Sequence, residues 1–525
     1  MQPTSDNDYD ILPYRSMPFA QTQPSHLAAI ATLFGIVPPS ADRAQVLELG
    51  CAAGGNIIPL AARFPSAHFT GLDLSIRHVE DAQQTIRQLG LTNIEIRRGD
   101  LADIDLADRQ FDYIICHGVF SWVPRNAQDA IFRICSQNLV PNGVAYISYN
   151  VLPGWHLRKI VRDICTYHAG TDGTPQHRVA RARWMLDQVA KLSSDTTNFG
   201  RILRDEAKLT TPLPDSYILG EFLADDNTPS YFHEFVDRAA GHDLTFLCET
   251  NLALSIPENH GTEQAKLIRT IAGNNGVFIE QYIDFFTGRP FRRSLLIKSA
   301  QASKIERKLS SQRLRSLQFA SQLRLDSAAS KMAISVFTHE QRSITTNDPI
   351  VRRAMELLAS AYPATRSFEE LVGGVGMSDT PSPSPDQIAI ETRLLDALFK
   401  AVITLHASVS TLPLKVGRAA AARPAVCKVA RLQATNGQSW ASSLQHQAVA
   451  LHPAMCLMVP FMDGTRDRSA LHDRLADALR NRQITAEELG NDAALANPGV
   501  LESAAATMLD QMLRYLEENA LLDSN

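Results

Sequence analysis

Residues 46–56 read Val-Leu-Glu-Leu-Gly-Cys-Ala-Ala-Gly-Gly-Asn, and this stretch decides the fold. An apolar strand closes on an acid, Glu48, and a turn of small residues then opens a helix over 57–64. Small residues let a nucleoside-bearing ligand lie against the backbone, which bulky side chains would forbid. A dinucleotide fold can begin in the same way, so the neighbouring strands must decide. Gly71-Leu72-Asp73-Leu74-Ser75 places an acid at the end of a second strand, where a pair of ribose hydroxyls would lie. Gly99-Asp100-Leu101 places another after a third strand, and the fourth, 111–116, runs into His117-Gly118-Val119-Phe120-Ser121-Trp122. Together these read as a site for S-adenosylmethionine (SAM). A nicotinamide fingerprint does not account for the second acid, and a pyrophosphate would call for free amides and arginine.

Working outward, the expected elements are strand 45–50, helix 54–64, strand 67–72, helix 76–89, strands 93–97 and 111–116, helix 126–138, strand 143–149 and helix 155–168. Such alternation predicts an α/β fold, a Rossmann-like sheet with helices on both faces. Helices at 177–192 and 197–208 read as an insertion, and 244–248 and 294–299 as further strands. Residues 300–346, with Lys304, Arg307, Lys308, Arg313, Arg315 and Arg324, read as a solvated connecting segment. The resulting division is 1–44 (lid or substrate segment), 45–170 (SAM-binding core), 171–230 (helical insertion), 231–300 (completion of the core), 301–372 (linker and helices), 373–386 (flexible, rich in Gly, Ser and Pro) and 387–525. In the last part, helices at 387–407, 453–461, 468–480 and 499–521 with strands near 408–412 and 425–433 suggest an α+β, winged-helix-like module. A fragment ending near Ser299 is expected to bind SAM on its own.

At 525 residues the chain needs several cores. Its net charge of −5 gives no basic footprint for nucleic acid. Seven scattered cysteines without a Cys-x-x-Cys pair argue for reduced thiols, and against a disulfide framework or a metal site. Neither a signal-like N-terminus nor an apolar run long enough to span a membrane is visible, so a cytoplasmic location is expected.

Glu48 is expected to accept from the cofactor's amino group or an ordered water, with a turn-capping acid as the bland alternative. Gly50, Ala52 and Gly54 would carry the methionine and ribose, Asn56 and Leu74 flanking them. Ala52 stands where glycine is commoner. Asp73 would hold the ribose hydroxyls or else cap the next helix; Asp100, with Leu101, would meet the adenine amine. His117 would also border the cofactor; acceptor positioning falls to His117, Tyr149 and Trp155, and the acceptor channel to Tyr14, Phe120, Trp122, Asn150, His233 and Asp284. For each aromatic, ordinary core packing is the alternative. If the acceptor is a lysine, an ordinary pKa of about 10.4 makes the neutral amine cost about 4.6 kcal/mol at pH 7, which an aromatic, desolvating channel would lower. His117 or Asp284 could take the proton.

The phrases Tyr9-Asp10, Pro13-Tyr14, Pro18-Phe19, 47–55, 71–75, Gly118-Val119-Phe120-Ser121-Trp122-Val123-Pro124, 141–146, Ser148-Tyr149-Asn150, Pro153-Gly154-Trp155-His156 and Tyr231-Phe232-His233-Glu234-Phe235 resemble the class I SAM-dependent methyltransferases. They resemble more closely a bacterial subgroup carrying a methyltransferase regulatory domain, which includes the rickettsial outer-membrane-protein lysine methyltransferases. The likeness is strong over the first 300 residues. It implies that strands 244–248 and 294–299 complete the sheet as an antiparallel pair, with SAM as cofactor and a protein lysine acceptor, and is compatible with a homodimer. A small-metabolite acceptor, or a non-catalytic SAM-binding regulator, are the rival readings.

Overall fold

The computed structural model describes residues 16–331, 334–376, 384–484 and 498–524. Its centre is a sheet of β1 (Gln45–Leu49), β2 (His68–Asp73), β3 (Ile94–Arg98), β4 (Phe111–Cys116), β5 (Leu139–Leu152), β6 (Ser230–Tyr231), β7 (Leu244–Glu249) and β8 (Phe291–Lys298). The order is β3-β2-β1-β4-β5-β8-β7, with β6 beside β5. β1 to β5 pair in parallel, and β8 runs antiparallel to both neighbours. The carboxyl ends of β1, β2 and β4 therefore open on one edge, where ligands of open α/β sheets bind.

Strand composition explains the two-sided burial. In β1, all residues after Gln45 are buried, as expected where helices cover both faces. The helix Ile76–Leu89 has the expected bounds, with Ser75 accepting from the His78 amide at its start and Gly90 left-handed at its end. β5 is longer than the expected 143–149. The insertion packs with the helix Trp155–Ala169 in a separate apolar cluster around Val161, Cys165, Val179, Leu186 and Phe222.

Three expectations change. The segment 300–346 is not a solvated connector: it holds strands Gln318–Ala320, Arg324–Leu325, Ser335–His339 and Arg342–Thr346. Its Leu314, Leu317, Phe319 and Phe337 share one apolar core with Leu27, Val46 and Leu247 of the sheet domain. The physical reason is that its basic side chains have partners: Arg315 pairs with Glu391 at 2.6 Å, and Arg307 donates to the Leu247 and Phe246 carbonyls. A cut near Ser299 would divide that core. The expected strand 425–433 is instead a helix, Lys428–Thr435, preceded by bridging residues Ala425 and Val426. Residues 377–383 of the expected flexible linker, and Tyr14, lie outside the described residues.

The C-terminal part closes a second core on helices Arg468–Arg480 and Pro498–Glu518. Its hairpin, strands Trp440–Ser442 and Ala448–Ala450, points the turn 443–447 back at the sheet domain.

Candidate active site

The turn after β1 is held from two sides. Gly50 and Cys51 donate to the Leu72 carbonyl at 2.8 and 3.0 Å. Gly50 and Gly54 have φ of +70° and +74°, and a side chain on Gly54 would press within 2.6 Å of Ile58. Ala52 takes φ +47°, a conformation that favours glycine. Its amide donates to Asp73 Oδ2 at 2.7 Å, which keeps it there.

Asp73 thus braces the turn, its other oxygen accepting from the Ser75 amide at 3.0 Å. The capping task falls to Ser75, whose hydroxyl accepts from the His78 amide. Asp100 is exposed and accepts from Ala102 N at 2.9 Å, beside buried Leu101, while Leu74 is half-exposed.

Glu48 is buried. Its Oε1 accepts from Asn56 Nδ2 at 2.7 Å, but Oε2 has no partner. Burial, followed by the neighbouring Asp73 charge, outweighs the Asn56 bond and pushes the carboxyl up to about 8. A buried acid with an unspent oxygen beside a glycine cradle fits the ammonium end of SAM. Asn56 would in turn keep Glu48 aimed: its Oδ1 accepts from Phe19 N, Thr22 Oγ1 and His446 Nε2 at 3.0, 3.0 and 2.8 Å.

At the end of β4, His117 lies 3.9 Å, centroid to centroid, from Phe19, and its Nδ1 is 2.8 Å from the Tyr146 hydroxyl. Burial and then Arg293 push its pKa down to about 3, so the imidazole is neutral at pH 7. Such a group is a poor proton acceptor. Trp122 meets Trp155 edge-to-face at 5.8 Å, and Trp155 Nε1 donates to Asn227 Oδ1 at 2.9 Å. Asn150, buried, keeps its Nδ2 without a partner.

Other expected acceptor residues lie elsewhere. Phe120 packs against Phe132, Phe235 and Tyr149. Tyr149 stacks on Phe235 at 3.8 Å with its hydroxyl 3.0 Å from Ser294 Oγ, on the face of β5 opposite Tyr146. Asp284 is fully buried in a pair with Arg292, at 2.8 Å. His233 is held through N and Nδ1 by Gln281 Oε1. These side chains are spent on packing and internal bonds. Sequence reasoning missed Tyr146, Arg293 and His446. Strand alternation from Ser148 could have found Tyr146; nothing local marks the other two.

A methyltransferase-domain model matches residues 46–143, a predicted methyltransferase regulatory-domain model 214–298, and a PKMT C-terminal winged-helix model 422–521. The Rickettsia prowazekii protein RP789 is 31% identical over 527 residues, covering 98% of this chain and 94% of that one. The chain belongs to the class I SAM-dependent methyltransferases with a methyltransferase regulatory domain. This methyltransferase is also similar to the solved structure of PKMT2 from Rickettsia typhi, at 26% identity and a TM-score of 0.85 over 97% of this chain and 100% of that one. The same protein in complex with AdoHcy, which is SAM without its methyl group, superposes with a TM-score of 0.84. SAM is the cofactor of this enzyme. The winged-helix C-terminal domain of the sequence analysis is likewise present.

Proposed function

We propose that this methyltransferase transfers the methyl group of SAM to lysine side chains of a protein acceptor, in the cytoplasm. The observation that carries the reading is likeness over the whole chain, C-terminal domain included, to PKMT2, a protein lysine methyltransferase. Small-molecule methyltransferases that share only the core give no reason for the other domains. Seven free cysteines, six of them buried, suit a reducing compartment. No helix among the described residues is long and apolar enough to cross a membrane. The net charge of −5 does not favour a nucleic-acid acceptor.

When bound, SAM supplies an electrophilic methyl group on a sulfonium. The chain's residues have three tasks around it. Glu48 would receive the amino group; Gly50, Ala52 and Gly54 would admit the ligand to the backbone; Asp73, Asp100 and Leu101, with Leu74 nearby, would hold the nucleoside. His117, neutral and fixed by Tyr146, would wall the acceptor's path with Phe19. A neutral imidazole does not repel an incoming amine, as an imidazolium would. Trp122, half-buried and backed edge-to-face by buried Trp155, would supply aromatic surface at the same edge, and Asn150 a polar group with bonding capacity to spare. Burial against such rings favours the neutral amine. The transfer itself then needs positioning and no covalent enzyme intermediate.

The test is labelled SAM with the purified protein and an extract of its own organism, separated by acid precipitation. Label expected in the precipitate should resist base and appear as methyl-lysine after hydrolysis. Label confined to the soluble fraction would replace this reading with a small-metabolite methyltransferase.

A further inference from the structure

A second cavity, of about 390 Å³, lies where the sheet domain, the middle segment and the C-terminal hairpin meet. None of the cofactor-site residues lines it. Its charge is one-sided: Arg63 and Arg342 line it with no aspartate or glutamate, beside His339 and two histidines, His26 and His406, whose pKa burial lowers. In a chain whose net charge is negative, a wall of this size without one carboxylate is not an average sample of the surface.

The two arginines are not neutralised from elsewhere. Arg63 donates to Gln23 Oε1 at 2.9 Å and the Leu444 carbonyl at 2.7 Å, both uncharged acceptors. Burial without an acid beside it pushes its pKa down to about 10. Arg342 donates to the Leu405 carbonyl at 2.9 Å. Glu340, next to the lining His339, reaches it only at 4.0 Å and is 78% exposed. Thr250, just past the end of β7, adds a buried hydroxyl with no partner. A half-buried guanidinium, Arg63, and an exposed one at the rim, Arg342, each bonded to neutral acceptors, are an arrangement that recognises phosphate or carboxylate. The volume is that of a small-metabolite site. The same charge would repel a lysine, so this is not the acceptor's channel.

We propose that this cavity binds a small anionic metabolite carrying a phosphate or carboxylate groups. Bound there, it would neutralise Arg63 and Arg342 together and clamp the three parts of the chain, since Arg63 also holds the hairpin turn through Leu444.

The test is calorimetric titration of the full chain with inorganic phosphate and, separately, with citrate, at matched ionic strength. Stoichiometry is read because such anions also stabilise proteins by exclusion from their surface. One saturable site is expected for at least one probe; the probe that binds tells phosphate from carboxylate recognition. AdoHcy should not displace it. Arg342→Gln, which leaves the Arg63 anchor intact, should weaken it about tenfold without changing SAM affinity. Three results would overturn the proposal: no saturable binding of either probe, competition by AdoHcy, or undiminished affinity in both Arg342→Gln and Arg63→Gln.

Discussion

Two groups of buried charge sit on this sheet, and they are built to opposite rules. On β8, Arg292 is fully buried and meets Asp284, Glu280 and Glu249 at 2.8, 3.0 and 3.1 Å, with Arg289 3.3 Å from Asp284. Burial alone would lower the Arg292 pKa, yet the three carboxylates hold it above its ordinary value. Ser294 and the Arg293 amide complete the shell around Glu249 at 2.6 and 2.8 Å. At the end of β1, by contrast, Glu48 is as buried and has one neutral partner and one unspent oxygen. A closed set of charges is architecture. An open one is a place for a ligand.

The largest expected effect comes from breaking the closed set. Arg292→Met leaves three acids against Arg289, and removing one partner of a buried pair costs about 3–5 kcal/mol. Chemical denaturation should show that loss, with SAM binding failing only because the fold does. A variant with parental stability and no SAM binding would move Arg292 into the site.

Breaking the open set should do the reverse. Glu48→Gln replaces a buried carboxyl, mostly protonated at pH 7, by a neutral amide that can keep the Asn56 bond, so the unfolding midpoint should hold or rise. SAM affinity should fall by about 2 kcal/mol, some thirtyfold, the scale of a hydrogen bond to a charged group. The pH dependence has a definite sign. The free carboxyl, raised to about 8, is mostly protonated at pH 7, and an ammonium partner favours the ionised form. SAM binding should therefore strengthen as pH rises towards 8 and release a proton below it, seen by calorimetry in buffers of different ionisation enthalpy. For stability the slope is opposite: the folded state holds a proton the unfolded one has lost, so this contribution declines as pH rises from about 4.5 through 8. Both dependences should vanish in Glu48→Gln.

His446 sharpens the comparison across the domain boundary. It is buried, and burial and then Arg63 push its pKa down to about 3, so it serves Asn56 as a neutral donor. His446→Ala should weaken SAM binding about fivefold, a typical net hydrogen bond of about 1 kcal/mol, with His446→Gln recovering part of it. Equal loss in both variants, matched by a lower unfolding midpoint, would make His446 a packing residue only. The smallest effect is a gain: Ala52→Gly relieves a positive φ against the larger unfolded-state entropy of glycine, and should stabilise the protein by about 0.5 kcal/mol, read by chemical denaturation.

What the sequence made legible was local. The helix Ile76–Leu89 could be read to its ends because Ser75 and Gly90 flank it as capping residues. The turn 50–54, Glu48, Asp73 and Ser75 fall within some thirty residues, and the β-α-β pattern leaves them little choice of where to meet. The misreadings have another cause. Tyr149 and Tyr146 are both aromatic residues on β5, but strand alternation puts them on opposite faces, and which face carries the site follows from what packs there. Asp284 looked available because Arg292 was not known to be its partner. The segment 300–346 looked solvated because basic side chains were counted before their acceptors were known.

The sequence by itself therefore determined the class of fold, the cofactor edge and the acid–glycine cradle, since these depend on strand ends, turn residues and caps close along the chain. Only the tertiary structure decided which buried acids are satisfied and which are open, that Tyr146 and not Tyr149 meets His117, and that a histidine 390 residues away steadies Asn56. Hydrogen bonds and burial act over a few ångströms of space. No pattern along the chain records which distant residues folding will bring within that range.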